Sequence, residues 1–130
     1  MKIVIVDDHA VVRHGLQSAI QSHGYEVVAV AGSINEAKSF MAQTNPDAIF
    51  VDINLPDGSG YELVSWARKV SPTIAIVVLT LNDGADYVRA AKGAGANAFI
   101  VKSAPLSDLL AALDLALSSQ SLFSSKSVSP

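Results

Sequence analysis

The sequence predicts an α/β domain in which one parallel sheet of five strands carries helices on both faces. Three observations predict it. Five short apolar runs, rich in Val and Ile, recur along the chain without polar alternation. A helical stripe of apolar residues follows each run. The chain has 130 residues, half of them hydrophobic, which suits one domain with its own core. Runs that do not alternate suit strands buried on both faces, as in parallel sheets. The order βαβαβαβαβα then implies right-handed crossovers that place helices above and below the sheet.

The first strand is Ile3–Val6, ending in Asp7-Asp8, and Val11, Val12, Leu16, Ala19 and Ile20 form the first helical stripe. Val27–Ala31 is the second strand. Ser33 is placed to cap the next helix and Glu36 to complete a capping box, with Ile34, Ala37, Phe40 and Met41 as its stripe. Ala48–Val51 is the third strand, ending in Asp52. Tyr61, Leu63, Val64 and Ala67 follow, with Pro72 after the helix end. Ile74–Leu79 is the fourth strand, ending in Thr80. The fourth stripe is Tyr87, Val88, Ala90, Ala91 and Ala94, with Gly93 and Gly95 near its stop. Ala98–Val101 is the last strand, ending in Lys102. Leu106, Leu109, Leu110, Leu113 and Leu117 make the fifth stripe, started by Pro105 or Ser107. The domain is expected over residues 1–117. Ser118–Pro130 holds seven Ser in thirteen residues and reads as a linker or tail, with Leu122 and Phe123 free to dock.

Nine Lys+Arg stand against twelve Asp+Glu, for a net charge of −3, and there is no Cys. The lack of Cys excludes disulfides and Cys-based zinc or iron–sulfur sites. The longest apolar run, Ile74–Leu79, falls far short of the ~20 residues of a spanning helix. The N-terminal run ends in two carboxylates rather than a small-residue cleavage site. A soluble, cytoplasmic protein with no membrane partner is expected. The mild negative charge argues against nucleic-acid binding by this segment.

The sharpest signal is where polar residues fall. Ligands of a doubly wound sheet bind at the carboxyl ends of its strands. Asp7, Asp8, Asp52, Thr80 and Lys102 all stand at such ends. The second run ends in Ala31-Gly32, as an edge strand would in the order 2-1-3-4-5. Alone, each residue has a bland reading. Asp8 reads equally well as a helix cap, Asp52 as a turn former, Thr80 as an ordinary strand end and Lys102 as a solvated lysine. The coincidence of four strand ends is what those readings fail to explain. Three clustered carboxylates repel one another unless a hard cation such as Mg²⁺ sits among them. A cation, an ammonium and a hydroxyl are what the oxygens of a phosphoryl group require. A carboxylate can serve as the nucleophile, and Asp52 is the central candidate. Asp57 and Asp83 place further acid in neighbouring loops.

These five residues, in this order and spacing, resemble the receiver domain of bacterial two-component response regulators, over roughly Met1 to Leu117. Val6-Asp7-Asp8-His9, Val12-Arg13-His14-Gly15-Leu16 and Gly95-Ala96-Asn97-Ala98-Phe99-Ile100-Val101-Lys102 are similar to the subfamily that carries a LuxR-type helix-turn-helix output domain, absent from this sequence. The resemblance implies a flavodoxin-like (βα)5 three-layer sandwich. It implies that Asp52 accepts a phosphoryl group from a phosphohistidine on a sensor histidine kinase or phosphotransfer protein. Asp8 would bind Mg²⁺ directly, Asp7 through water, and Asn54 through its backbone carbonyl, beside Asp52 itself. Thr80 and Lys102 would hold the phosphoryl oxygens, and Phe99 would be the switch aromatic. The face of the fourth helix, fifth strand and fifth helix would then control homodimerisation and transcription, with DNA reached only through the output domain. The chemistry implied is self-phosphotransfer and slow autodephosphorylation, not turnover by an enzyme. Some positions depart from the common pattern. Phe99 lacks the hydroxyl of a tyrosine, Ser103 replaces the usual Pro, and Leu81 is bulkier than the residue often following Thr80, which restricts access. Asn54 and Asn82 occupy the positions that tune dephosphorylation.

Other signals point elsewhere and are weaker. Gly93–Ala98 fits a dinucleotide fingerprint but closes a helix and opens a strand, the reverse of what the fingerprint requires. Asp52–Gly58 fails as a calcium loop because Pro56 stands at a ligand position. His9, His14 and His23 do not form a metal set. Two alternative functions remain. An aspartyl-phosphate phosphatase needs an acid two residues after its nucleophile, where this chain has Asn54. A phosphate-independent interaction module would lack part of the quintet, and none is missing.

Overall fold

Each apolar run becomes a strand because its two sets of side chains find cover on opposite faces. In the computed structural model, which describes residues 1–81 and 84–118, the order is β1 (Lys2–Val6), α1 (Ala10–Ser22), β2 (Glu26–Ala31), α2 (Ile34–Thr44), β3 (Ala48–Asp52), β4 (Asn54–Leu55), β5 (Gly58–Ser59), α3 (Gly60–Val70), β6 (Ala75–Thr80), α4 (Ala85–Ala94), β7 (Ala98–Val101) and α5 (Leu106–Leu117). The readings placed on Asn82, Asp83, Leu122 and Phe123 lie outside the described residues. One parallel sheet runs in the order β2-β1-β3-β6-β7. This is the flavodoxin-like (βα)5 order, with β4 and β5 forming a separate antiparallel hairpin. Periodicity misses that hairpin, since strands of two residues carry none.

Ile3, Ile5, Phe50, Val77 and Leu79 pack on Leu16 and Ile20 of α1 and Leu109 and Leu113 of α5. Their neighbours Val4, Val6, Ile49, Val51, Ile76 and Val78 pack on Ala37 of α2, Leu63 and Val64 of α3, and Ala91 of α4. Burying each large aliphatic side chain contributes about 1.5–3 kcal/mol, so neither face can be left uncovered. The fourth helix departs from its expected stripe. Ala91 is its one buried residue and Val88 is half-buried, while Tyr87 and Ala90 are exposed. A stripe made chiefly of alanine offers little area, so α4 covers the sheet thinly. No helix among the described residues is long and apolar enough to cross a membrane.

Two polar clusters tie the helices together away from the carboxyl ends of the strands. Arg68 on α3 donates to the carbonyls of Gly95 and Pro72, at 3.0 and 2.8 Å, and to Asn97 Oδ1 at 2.8 Å. Asn97 Oδ1 also accepts from Ile76 N–H at 2.8 Å. Gly95 ends α4 with φ +111°, a conformation that favours glycine, and a Cβ there would press to 3.0 Å of Arg68 Cγ. On the other face, Asp114 of α5 accepts from the Tyr25 hydroxyl and lies 3.0 Å from His23 Nε2, at the end of α1. That hydrogen bond raises the Tyr25 pKa to about 12 and lowers that of Asp114.

Candidate functional site

Register builds the site. Val6 pairs with Val51, Asp52 with Leu79, and Thr80 with Val101, so the residues at or just past these strand ends line up along one edge. Asp52 and Thr80 close their strands and belong to the ladder rather than to loops. Asp7, Asp52 and Thr80 are all buried. Asp8 is exposed.

Lys102 is not a solvated lysine, because its side chain is only 8% exposed. Its Nζ donates to Asp52 Oδ2 at 2.9 Å and stands 3.0 Å from Asp7 Oδ2. Burial works against the ammonium, but the two carboxylates outweigh it and raise the Lys102 pKa. Its backbone N–H donates to the Thr80 carbonyl at 2.6 Å, which fixes the strand end that carries it. The contact with Asp7 is an ion pair, so one lysine is shared between two buried carboxylates.

The structure adds His9, which sequence reasoning set aside. His9 N–H donates to Asp7 Oδ1 at 2.8 Å and turns the residue toward the acids. Its Nδ1 lies 3.1 Å from Asp7 Oδ1, 3.2 Å from Asp8 Oδ1 and 3.9 Å from Asp52 Oδ2. His9 also takes the N-cap position of α1, without a side-chain cap, which overturns the reading of Asp8 as that cap. His14 is exposed and His23 belongs to the Asp114 cluster, so neither joins it.

Asn54 N–H donates to Asp52 Oδ1 at 3.2 Å, holding the start of the hairpin beside the carboxylate. Gly60 lies beneath it, since a Cβ there would come within 2.1 Å of the Asp52 carbonyl oxygen. Asp57 lies in the neighbouring β4–β5 turn, where its carboxylate accepts from Ile34 N–H and Asn35 N–H at 2.8 and 3.0 Å. The Ile34 bond leads in lowering its pKa. Ser33 caps α2 as expected, but Glu36 reaches back to Gly32 N–H, one residue before the cap. Phe99 is half-buried against the layer under α2, α3 and α4. Leu81 is 68% exposed and lines, with His9, Val12, Lys102 and Ser103, a depression of about 320 Å³ at the mouth of the site. A groove of similar size, about 310 Å³, lies at the other edge around Met41, Pro46, Trp66 and Ile74, with no acid or base lining it.

The donor set fits a divalent cation. Asp7, Asp8, His9 and Asp52 each present a ligand atom, all within 4.8 Å of one another. One ammonium stands against the three carboxylates, so a doubly charged ion would bring the cluster to neutrality.

A family model for the response regulator receiver domain matches residues 3–114. The transcriptional regulatory protein PdtaR of Mycobacterium tuberculosis is 34% identical over 119 residues, covering 90% of this chain and 57% of that protein. The chain thus spans just over half the length of such relatives. A LuxR-family two-component response regulator from Aurantimonas sp. superposes with a TM-score of 0.87 at 31% identity, over 92% of this chain and 86% of that one. The BeF3-activated N-terminal receiver domain of Klebsiella pneumoniae RstA superposes with a TM-score of 0.83 at 32% identity, over 90% and 98%.

Proposed function

The chain belongs to the response regulator receiver domain family, and from that premise we propose that it is a phosphorylation-activated switch whose phosphoryl acceptor is Asp52. The observation that carries this reading is a buried Asp52 held at 2.9 Å by Lys102 among other acids at the open edge of the sheet. An Asp52 oxygen attacks the phosphorus of a phosphohistidine on a sensor histidine kinase or phosphotransfer protein. The P–N bond breaks and the imidazole leaves. Asp7, Asp8, Asp52 and the Asn54 carbonyl would hold Mg²⁺, and the ion would supply charge neutralisation for the transferred oxygens. Lys102 then exchanges its carboxylate partner for a phosphoryl oxygen, and the Thr80 hydroxyl takes another.

The acyl phosphate adds about one further negative charge to the edge. Thr80 moves toward it and Phe99 follows, changing the face formed by α4, β7 and α5. The thin cover that α4 gives the sheet supports this as the part that shifts. That face controls homodimerisation. A separate LuxR-type output domain makes the DNA contacts, so the output is transcription, and the unit that switches is residues 1–117, working in the cytoplasm. The relative described as a transcriptional regulator supports this. A small acyl-phosphate donor with Mg²⁺, followed by intact mass, tests the first step. Wild type gains one phosphoryl group and Asp52→Asn gains none; equal uptake by both overturns the assignment.

A further inference from the structure

We propose that His9 is itself a metal ligand, and that it makes this pocket hold first-row transition divalent cations more tightly than Mg²⁺. The inference rests on the reading of the pocket as a cation site and adds a nitrogen donor to it. Four observations carry it. His9 stands at the N-cap of a thirteen-residue helix, yet its side chain makes no capping bond. Its Nδ1 instead faces three carboxylate oxygens, at 3.1, 3.2 and 3.9 Å. Metal–ligand bonds of about 2.0–2.2 Å set adjacent donors roughly 2.9–3.4 Å apart, depending on whether the shell is octahedral or tetrahedral. The two shorter distances, to Asp7 and Asp8, fall inside that range, and the third, to Asp52, lies outside it. The last observation is Asp7 Oδ2, wholly buried at this cluster and met among the described residues by the Lys102 ammonium alone, which Asp52 shares.

The chemistry of the donors decides the ion. Mg²⁺ takes oxygen ligands and gains little from an imidazole. Imidazole suits zinc, copper, iron and nickel, and affinity for a mixed nitrogen and oxygen site rises along the first-row series. Lys102 Nζ, 3.4 Å from His9 Nδ1, pairs with Asp7 and Asp52 and leaves Asp8 to the ring. The His9 side chain is 58% exposed, so an ion can enter past it.

Calorimetric titration of the whole chain with MgCl₂ and CoCl₂ tests this, for wild type and His9→Ala. Wild type is expected to hold Co²⁺ more tightly than Mg²⁺. His9→Ala is expected to weaken Co²⁺ about tenfold or more and to leave Mg²⁺ within about twofold. In wild type loaded with Zn²⁺, the His9 Nδ1 resonance shifts as a ligating nitrogen, while those of His14 and His23 stay in place. Equal Co²⁺ affinity in the two proteins, an unmoved His9 Nδ1, or ligation through His14 or His23 overturns the proposal and leaves the Mg²⁺ reading standing. Failure of wild type to bind either ion overturns both.

Discussion

The two edges of the sheet handle charge in opposite ways. At the amino edge, Arg68 is surrounded by backbone carbonyls and Asn97, and its hydrogen bonds are met without any acid. Burial lowers its pKa, and among the described residues no ion of opposite sign pairs with it. At the carboxyl edge, two buried carboxylates share one lysine, and the acid outnumbers the base. The first cluster is complete within the chain. The second is complete only with something added, which is how a binding site differs from a clamp.

Removing the shared cation should break this contrast most severely. Lys102→Met leaves Asp7 and Asp52 buried and unpaired, and should cost about 3 kcal/mol in urea unfolding, with millimolar Mg²⁺ restoring part of the loss. Arg68→Ala should cost about 2 kcal/mol, because it strands the carbonyls of Gly95 and Pro72 and the Asn97 side chain. Its phosphoryl uptake by intact mass should stay at the wild-type level. Asp52→Asn sharpens the contrast by its sign. It removes one of the competing acids and should raise stability by roughly 0.5 kcal/mol while abolishing uptake; a loss above about 1 kcal/mol would contradict an excess of acid at this edge.

The smallest effect concerns the Asp114 cluster. The folded pKa of Asp114 is depressed, chiefly by the Tyr25 hydroxyl, so its contribution is present above the unfolded value and lost as pH falls through the folded one. Tyr25 is raised to about 12, so its contribution is present below its ordinary value and lost as pH rises through about 12. Thermal midpoints of Tyr25→Phe, followed across pH, should therefore fall less than those of wild type on both the acid limb and the alkaline limb.

The sheet was legible because its strands are unbroken Val and Ile runs, and a helix lies between each pair. The placing of Asp7, Asp8, Asp52, Thr80 and Lys102 at one edge was legible for the same reason, since a strand end can be located to within a residue. His9 was not, because a single histidine beside two acids has no period, and only the Asx bond to Asp7 turns its ring inward. Arg68 reads in sequence as the solvated side of α3, and nothing local reports that Gly95 and Asn97 fold back onto it. The partners of Asp57 were hidden for a similar reason, as they lie 23 and 22 residues earlier.

Gly60 has a consequence for any survey of substitutions across the whole chain. A single methyl group there would overlap the Asp52 carbonyl oxygen at 2.1 Å, which the strand above cannot yield without dislodging the acceptor. Such a survey would score this position as intolerant as Asp52 itself. The two intolerances differ in kind. On the proposed function, the isosteric amide at Asp52 would fail for want of a nucleophile, whereas at Gly60 the smallest side chain fails for want of room.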